Sequence, residues 1–228
     1  MPRRLREAMG GLAYHVLNRA VGRSTLFKKD ADYAAFEEVL LQAWDRFGTR
    51  IVSYCLMPNH WHLVLWPRAD GELSKFMGWL TVTHAQRRHA HYRTGGTGPV
   101  YQGRFKSFPI QRDHHFLTVC RYVERNPLRA KLVRQADRWQ WCSLWRRRNG
   151  KPADRAFLLA QSAWPIKPPR NWIATVQRAA TSEELAYLRR SVVRGAPFGT
   201  ERWQQGTASK LGLDSTLRPR GRPKQEEE

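Results

Sequence analysis

The chain has few cysteines, few acids and no long apolar run. Its three cysteines, Cys55, Cys120 and Cys142, are widely spaced and odd in number. No Cys-x-x-Cys pair exists, which argues against a zinc ribbon or a disulfide framework. No stretch of about 18 apolar residues occurs, so no membrane span is expected. The start, Met1-Pro2-Arg3-Arg4-Leu5-Arg6, is basic without the apolar stretch of a secretion signal, and a cytoplasmic location is expected. Acids number 19 against 40 Lys plus Arg, a formal net charge of +21 in 228 residues. An imbalance of this size speaks about partners rather than about fold. Polyphosphate is the natural partner, because each neutralised phosphate releases a counterion. Charge alone also fits an anionic membrane surface or ribosomal RNA, but ten tryptophans are unusual for a ribosomal protein. The length suits one sizeable core with a small appendage.

The apolar pattern orders the elements. Residues 11–21 alternate as a first strand. Asp30 and Asp32 open a helix whose Phe36, Val39, Leu40, Ala43 and Phe47 recur at helical spacing, and Gly48 stops it. Residues 50–57 and 60–66 read as a hairpin around Pro58-Asn59. A second helix runs from Asp70 to about Tyr92 and ends in Arg87, Arg88, His89, His91 and Arg93. Residues 100–110 read as a further strand. Asp113 caps a third helix that ends near Asn126, because Pro127 disfavours helix at the residue before it. This order predicts an α+β fold: a ferredoxin-like split βαβ antiparallel sheet with helices on one face, plus a small helical C-terminal extension. The main domain is placed at 9–150, with Trp139, Trp141 and Trp145 as an aromatic lid. The prolines of 165–169 mark a linker over 151–171. Residues 172–213 are expected as a small helical DNA-binding extension, and 214–228 as a basic, disordered tail.

His60 and His62 carry the chemistry. They lie two apart on a strand and so share a face, with Trp61 pointing to the other side. Two adjacent imidazoles suit one metal ion, although two unrelated surface residues are the plainer alternative. Sixty residues on, Tyr122 and Asn126 lie four apart on one helical face. Each taken alone reads as packing or as a helix end. Taken together, two imidazoles, an amide oxygen and open positions suit Mg²⁺ or Mn²⁺ held partly by phosphate and water. A phenol, with its ordinary pKa of about 10, is a poor nucleophile unless the phosphorus is polarised. The set points to cleavage of a nucleic-acid backbone through a covalent tyrosine link.

Met57-Pro58-Asn59-His60-Trp61-His62 resembles the histidine–hydrophobic–histidine motif of single-tyrosine HUH transposases. Tyr101-Gln102-Gly103-Arg104-Phe105, followed by Tyr122-Val123-Glu124-Arg125-Asn126-Pro127-Leu128-Arg129-Ala130, resembles the downstream signature of REP-associated tyrosine transposases. The resemblance covers residues 10–150. It implies a ferredoxin-like domain and a divalent cation. It also implies cleavage of single-stranded DNA beside an imperfect hairpin from a repeated palindrome, leaving a 5′-phosphotyrosine and a free 3′-OH. In this carry-over Tyr122 is the nucleophile, His60 and His62 are metal ligands, and Asn126 stands where related insertion-sequence enzymes commonly have Gln. It further implies a nucleoid-associated protein acting as a monomer or homodimer, with Tyr122 serving its own sheet or a neighbour's.

Arg104 and Lys106 are expected to alternate on one strand toward DNA, or to be a solvated sheet edge. Arg121 and Arg125 flank Tyr122 and are candidates for phosphate contact, or plain surface charge. Arg218, Arg220, Arg222 and Lys224 form an extended, AT-hook-like basic strip suited to a narrow minor groove. Two further readings compete. One is a DNA hairpin binder without catalysis; the other is an RNA-binding regulator. Neither needs Tyr122 together with His60 and His62.

Overall fold

The computed structural model describes residues 8–218. Strands β1 (Ala13–Arg19), β2 (Arg50–Met57), β3 (His60–Trp66) and β4 (Lys106–Ile110) form one sheet in the order β2-β3-β1-β4. Every neighbouring pair is antiparallel. Helix α1 (Asp30–Phe47) joins β1 to β2, and α2 (Glu72–Tyr92) joins β3 to β4. This is the split βαβ arrangement that the element order predicts. In α1, Asp32 accepts from the backbone of Lys28 and Lys29 at 2.6 and 3.2 Å and so closes the first turn. Gly48, at φ 63°, ends the helix in a left-handed cap that costs glycine little. No described helix is long and apolar enough to cross a membrane.

Each face of the sheet has its own core. Tyr14, Val16, Tyr54, Leu56, Trp61, Leu63 and Leu65 pack with Phe36, Leu40, Phe76 and Leu80 of α1 and α2. Ala13, Val52, Cys55, Val64, Phe108 and Ile110 point the other way, to Phe116, Val119, Cys120 and Val123 of α3 (His114–Glu124). The register shifts between Ile51 and Ser53, a bulge in β2. Val52 and Ser53 therefore both serve the second face, and Ser53 Oγ reaches Glu124 at 3.2 Å.

The chain departs from the sequence reading in three places. Residues 100–105 are a loop rather than strand; β4 starts only at Lys106. The loop turns Tyr101 inward, where its hydroxyl accepts from Trp61 Nε1 at 3.1 Å and meets His84 Nδ1 at 2.7 Å. Next, the chain does not stop turning at Asn126. Arg125 closes α3 while still near helical geometry, and α4 (Asn126–Arg129) follows with Pro127 in its first turn, where the missing N–H is tolerated.

The third departure is the stretch read as a linker, 151–171, which is packed onto the main domain. Phe157, 2% exposed, lies in the first core, and Leu158 bridges Ile51 in parallel. Its prolines break helices without releasing it. At the same edge of the sheet, the backbone of Cys142 pairs antiparallel with that of Cys55, both thiols staying free, and Leu56 N–H donates to Trp141 O at 2.9 Å. The opposite edge is covered too: Phe198 exchanges backbone hydrogen bonds with Pro109 and Gln111, each 2.9 Å. Helices α5 (Ser143–Asn149), α6 (Trp172–Gln177) and α7 (Ser182–Arg194) contribute Leu144, Trp172, Val176 and Leu188 to the second core. Helix α8 (Glu201–Leu211) follows.

Glu124 ties these parts together. It is fully buried and accepts from Ser143 Oγ at 2.6 Å, Trp172 Nε1 at 2.7 Å and Ser53 Oγ at 3.2 Å. Burial pushes its carboxyl up from the usual range, while Arg147 and these donors pull it back. Replacing Glu124 with Ala strands three buried donors and is expected to cost about 3–5 kcal/mol in urea unfolding. Glu124→Gln keeps the volume and one acceptor and should lose roughly half as much. An Ala variant within about 1 kcal/mol of the parent protein, on the scale expected for surface changes, removes Glu124 from this role.

Candidate active site

The strand alternation puts His60 and His62 on the α3 side of β3, with their rings 5.0 Å apart and nearly perpendicular. Trp61 lies on the opposite side, fully buried in the first core. Each histidine is held by one ring nitrogen. His60 Nδ1 lies 2.6 Å from Asn59 Oδ1, and His62 Nδ1 lies 2.9 Å from His15 Nε2. Among the described residues neither Nε2 has a hydrogen-bond partner. Burial, helped by the nearby Arg19 and Arg129 charges, pushes His60 down to about 4. Burial also holds His62 well below the usual imidazole range, reinforced by His60, His15 and Arg129. Both rings are therefore neutral near pH 7, the form that ligates a metal. Two neutral imidazoles on one strand face are a donor type that suits a divalent cation.

Tyr122 reaches the same place from α3. Phe116, Val119, Cys120 and Val123 bury one face of that helix, and Asp113 caps it by accepting from His115 N–H at 2.9 Å. Tyr122 stands at the border of the buried face, half-buried. Its ring is 5.8 Å from the His62 ring and 6.1 Å from the His15 ring, edge-on to both. The phenol and the imidazoles thus meet within one chain.

Asn126 is placed beside Tyr122 but is already engaged. It is 1% exposed, and its Nδ2 donates to Tyr122 O at 3.1 Å and Val123 O at 3.4 Å. Its Oδ1 accepts from Arg129 Nη2. One lone pair of that oxygen stays free, so metal ligation requires sharing Oδ1 with Arg129.

Two residues of this site escape the sequence reading. Arg129 lies 4.4 Å above the Tyr122 ring, and its Nη2 is 3.3 Å from the phenol oxygen. A helix ended at Asn126 hides it; the extra turn of α4 brings it back over Tyr122. His15 is fully buried on β1, its ring 5.0 Å from the His62 ring and 23° from parallel to it. Its strand alternation was visible in sequence, but its neighbour across the sheet was not.

The basic candidates scatter. Arg104 is exposed in the loop, so it does not alternate with Lys106, the exposed first residue of β4. Arg121 pairs with Glu184 at 2.5 Å. Arg125 is half-buried and its Nε donates to Gln177 O at 3.4 Å. With Arg129 they line a hollow beside Tyr122, closed by Leu185 and Leu188 of α7. Arg218 is exposed; Arg220, Arg222 and Lys224 lie outside the described residues. Asp113, His114 and His115 also bring ligand atoms within 4.8 Å of one another. Asp113 is spent on capping there, and the helix N-terminus repels a cation, so we assign no metal to it.

A profile of the family described as "Transposase IS200 like" matches residues 8–126. A search of curated proteins returned no match. Among solved structures, the fold is similar to one described as "Structure of the REP associates tyrosine transposase bound to a REP hairpin". The two share 19% identity at a TM-score of 0.52, over 68% of this chain and 90% of that one.

Buried histidines make the fold acid-sensitive. Burial pushes His15 and His84 to about 3 and His60 to about 4, with His62 also depressed. A depressed group stabilises the fold above its unfolded pKa, near 6.5, and that stability is lost as pH falls through the folded value. Glu37 and Glu124 are raised by burial and work in the opposite direction, losing their contribution as pH rises. Unfolding near pH 5 should take up protons at all four histidines, a slope of up to about 5 kcal/mol per pH unit before the glutamates offset it. Urea midpoints that stay flat from pH 7 to 5 contradict neutral buried histidines.

Proposed function

The chain belongs to the family of IS200-like transposases, and on that premise we propose that it nicks and rejoins single-stranded DNA beside imperfect palindromic hairpins, with Tyr122 as nucleophile. The observation that carries this reading is the edge-on approach of Tyr122 to His62, 5.8 Å between rings, from an element 60 residues away. A DNA- or RNA-binding protein without catalysis does not need a phenol packed against His62 beside a second neutral imidazole on the same strand face.

In the proposed reaction the Tyr122 oxygen attacks the scissile phosphorus. The new bond is phenol oxygen to phosphorus; the bond that breaks is phosphorus to the 3′-oxygen. The phenol proton ends on that leaving oxygen. A 5′-phosphotyrosine and a free 3′-OH result, and a returning 3′-OH reverses the exchange. Arg129 donates to the phenol oxygen and places a fixed positive charge where phosphate oxygens gain charge. Arg125 lines the same hollow and is assigned to phosphate contact; Arg121 joins it after release from Glu184. His60 and His62 would hold Mg²⁺ or Mn²⁺, which polarises the phosphate when bound. Asn126 orients Tyr122 through Arg129 and offers the cation its remaining lone pair.

The site is proposed to be complete in one chain. Both outer strands of the sheet are covered by the C-terminal half, so strand-to-strand pairing between copies has no open edge among the described residues. Arg104 and Lys106 are exposed and are assigned to DNA contact, and the strip Arg218, Arg220, Arg222 and Lys224 is assigned to further phosphate binding.

With a labelled hairpin-flanked strand and Mn²⁺, Tyr122→Phe should bind DNA but form no covalent adduct. Mixing Tyr122→Phe with His60→Ala should restore nothing if each chain uses its own tyrosine. An adduct surviving in Tyr122→Phe sinks the nucleophile assignment, and restored cleavage in the mixture sinks the one-chain site. Changing Arg218, Arg220, Arg222 and Lys224 to Ser should flatten the plot of log affinity against log salt, by about 0.7 for each single-strand phosphate that the tail no longer neutralises. An unchanged slope rules out binding of phosphate by the tail.

A further inference from the structure

His15 is a buried, chemically capable residue that the proposed reaction does not yet use. It is 0% exposed, lies between Phe108 and His62, and has a 2.9 Å contact from its Nε2 to His62 Nδ1. Its other nitrogen, Nδ1, is buried without a partner. The register explains the contact. In the β1–β3 pairing, Leu17 faces His62 and His15 faces Val64, so His15 and His62 are diagonal neighbours on one face.

A neutral imidazole carries one proton, and a ligand nitrogen must be the one without it. If His62 ligates through Nε2, its proton sits on Nδ1 and must be donated. Among the described residues the acceptor within reach is His15 Nε2. The opposite arrangement has His15 Nε2–H donating to His62 Nδ1. It puts the His62 proton on Nε2 and closes that atom to a cation. The direction of this one hydrogen bond therefore decides whether His62 can ligate at all.

We propose that His15 is a positioning residue: its Nε2 accepts the Nδ1 proton of His62 and fixes His62 as the tautomer whose Nε2 lone pair is open to the cation. The inference rests on the reading of His60 and His62 as a ligand pair. The group that orients a metal-bound histidine is usually a carboxylate or a backbone carbonyl. Here it is a neutral ring, which orients His62 without adding negative charge, so the bound cation keeps its full attraction for phosphate. His60 is oriented by an equally neutral group, the side-chain oxygen of Asn59.

The test is Mn²⁺ affinity of the full chain without DNA, followed by the electron paramagnetic resonance of free Mn²⁺. His15→Phe keeps an aromatic ring in the buried space and removes the acceptor; affinity should fall about 10- to 100-fold. His15→Gln returns an amide oxygen near the position of the missing nitrogen and should recover most of that affinity. His60→Ala and His62→Ala report on the underlying pair: if neither weakens Mn²⁺ binding, the ligand reading itself fails. If they weaken it and His15→Phe does not, or if Gln is as poor as Phe, His15 acts at most by packing and the proposal is overturned. The parent protein gives a readout that needs no variant to fold. With Mg²⁺ bound, ¹⁵N shifts should show the His62 proton on Nδ1 and the His15 proton on Nδ1. A His62 proton on Nε2 overturns the proposal as well.

Discussion

The site depends on Trp61 being held inside. Its indole fills the first core between Phe36 and Tyr101, and its N–H is fixed by Tyr101, whose hydroxyl is fixed in turn by His84. Strand alternation does the rest: with Trp61 locked on one side, His60 and His62 can only project to the other. A one-residue slip of β3 would turn the indole toward α3 and the imidazoles toward α1 and α2. A polar chain buried under α1 and α2 thus sets the aim of two side chains on the far face. It also gives Tyr101 a structural place in the motif that carries it.

The other half of the geometry comes from the C-terminal chain. Tyr122 has its position because α3 is clamped on the sheet, and Glu124, two residues on, is the clamp. It connects the bulge residue Ser53, Ser143 of α5 and Trp172 of α6. The arginine-rich α5 adds Arg146 on Glu37 and Arg147 on Val52 O, so both cores receive a cation from this side. The C-terminal residues that a reading by composition separates as linker and extension are therefore part of what aims the phenol.

The hairpin and both long connecting helices were legible because β2 and β3 are short apolar runs around a Pro-Asn turn, and α1 has an unbroken helical repeat. Sheet order followed from element order. The site was legible only as far as sequence spacing reaches. His60 with His62, and Tyr122 with Asn126, are local pairs, and both were readable. His15 and Arg129 were not. His15 joins the site through a cross-strand diagonal that no spacing encodes. Arg129 depends on the chain turning on through Pro127, where the local rule for the residue before proline was outweighed by tolerance of proline in a first turn. The prolines of 165–169 misled in the same way, since they report the absence of helix and say nothing about packing.

Charge gives the arrangement its logic. The chain carries +21, and two of its cations, Arg19 and Arg129, act directly on the histidine pair. On the proposed reading His60, His62 and Asn126 are all uncharged ligands, so among the described residues a divalent cation would meet no negative ligand while positive charge surrounds it. Such a site binds a cation weakly by itself. A DNA phosphate would change the balance, because it would bring the anionic oxygens the protein withholds and would be drawn in by the same arginines. Cation and DNA would then favour each other's binding, as linkage requires when each supplies what the other lacks. A carboxylate in place of His15 or of Asn126 would tighten the cation alone and weaken that coupling. Neutral orienting partners, as proposed for His15 and Asn59, would keep the cation dependent on the strand to be cut.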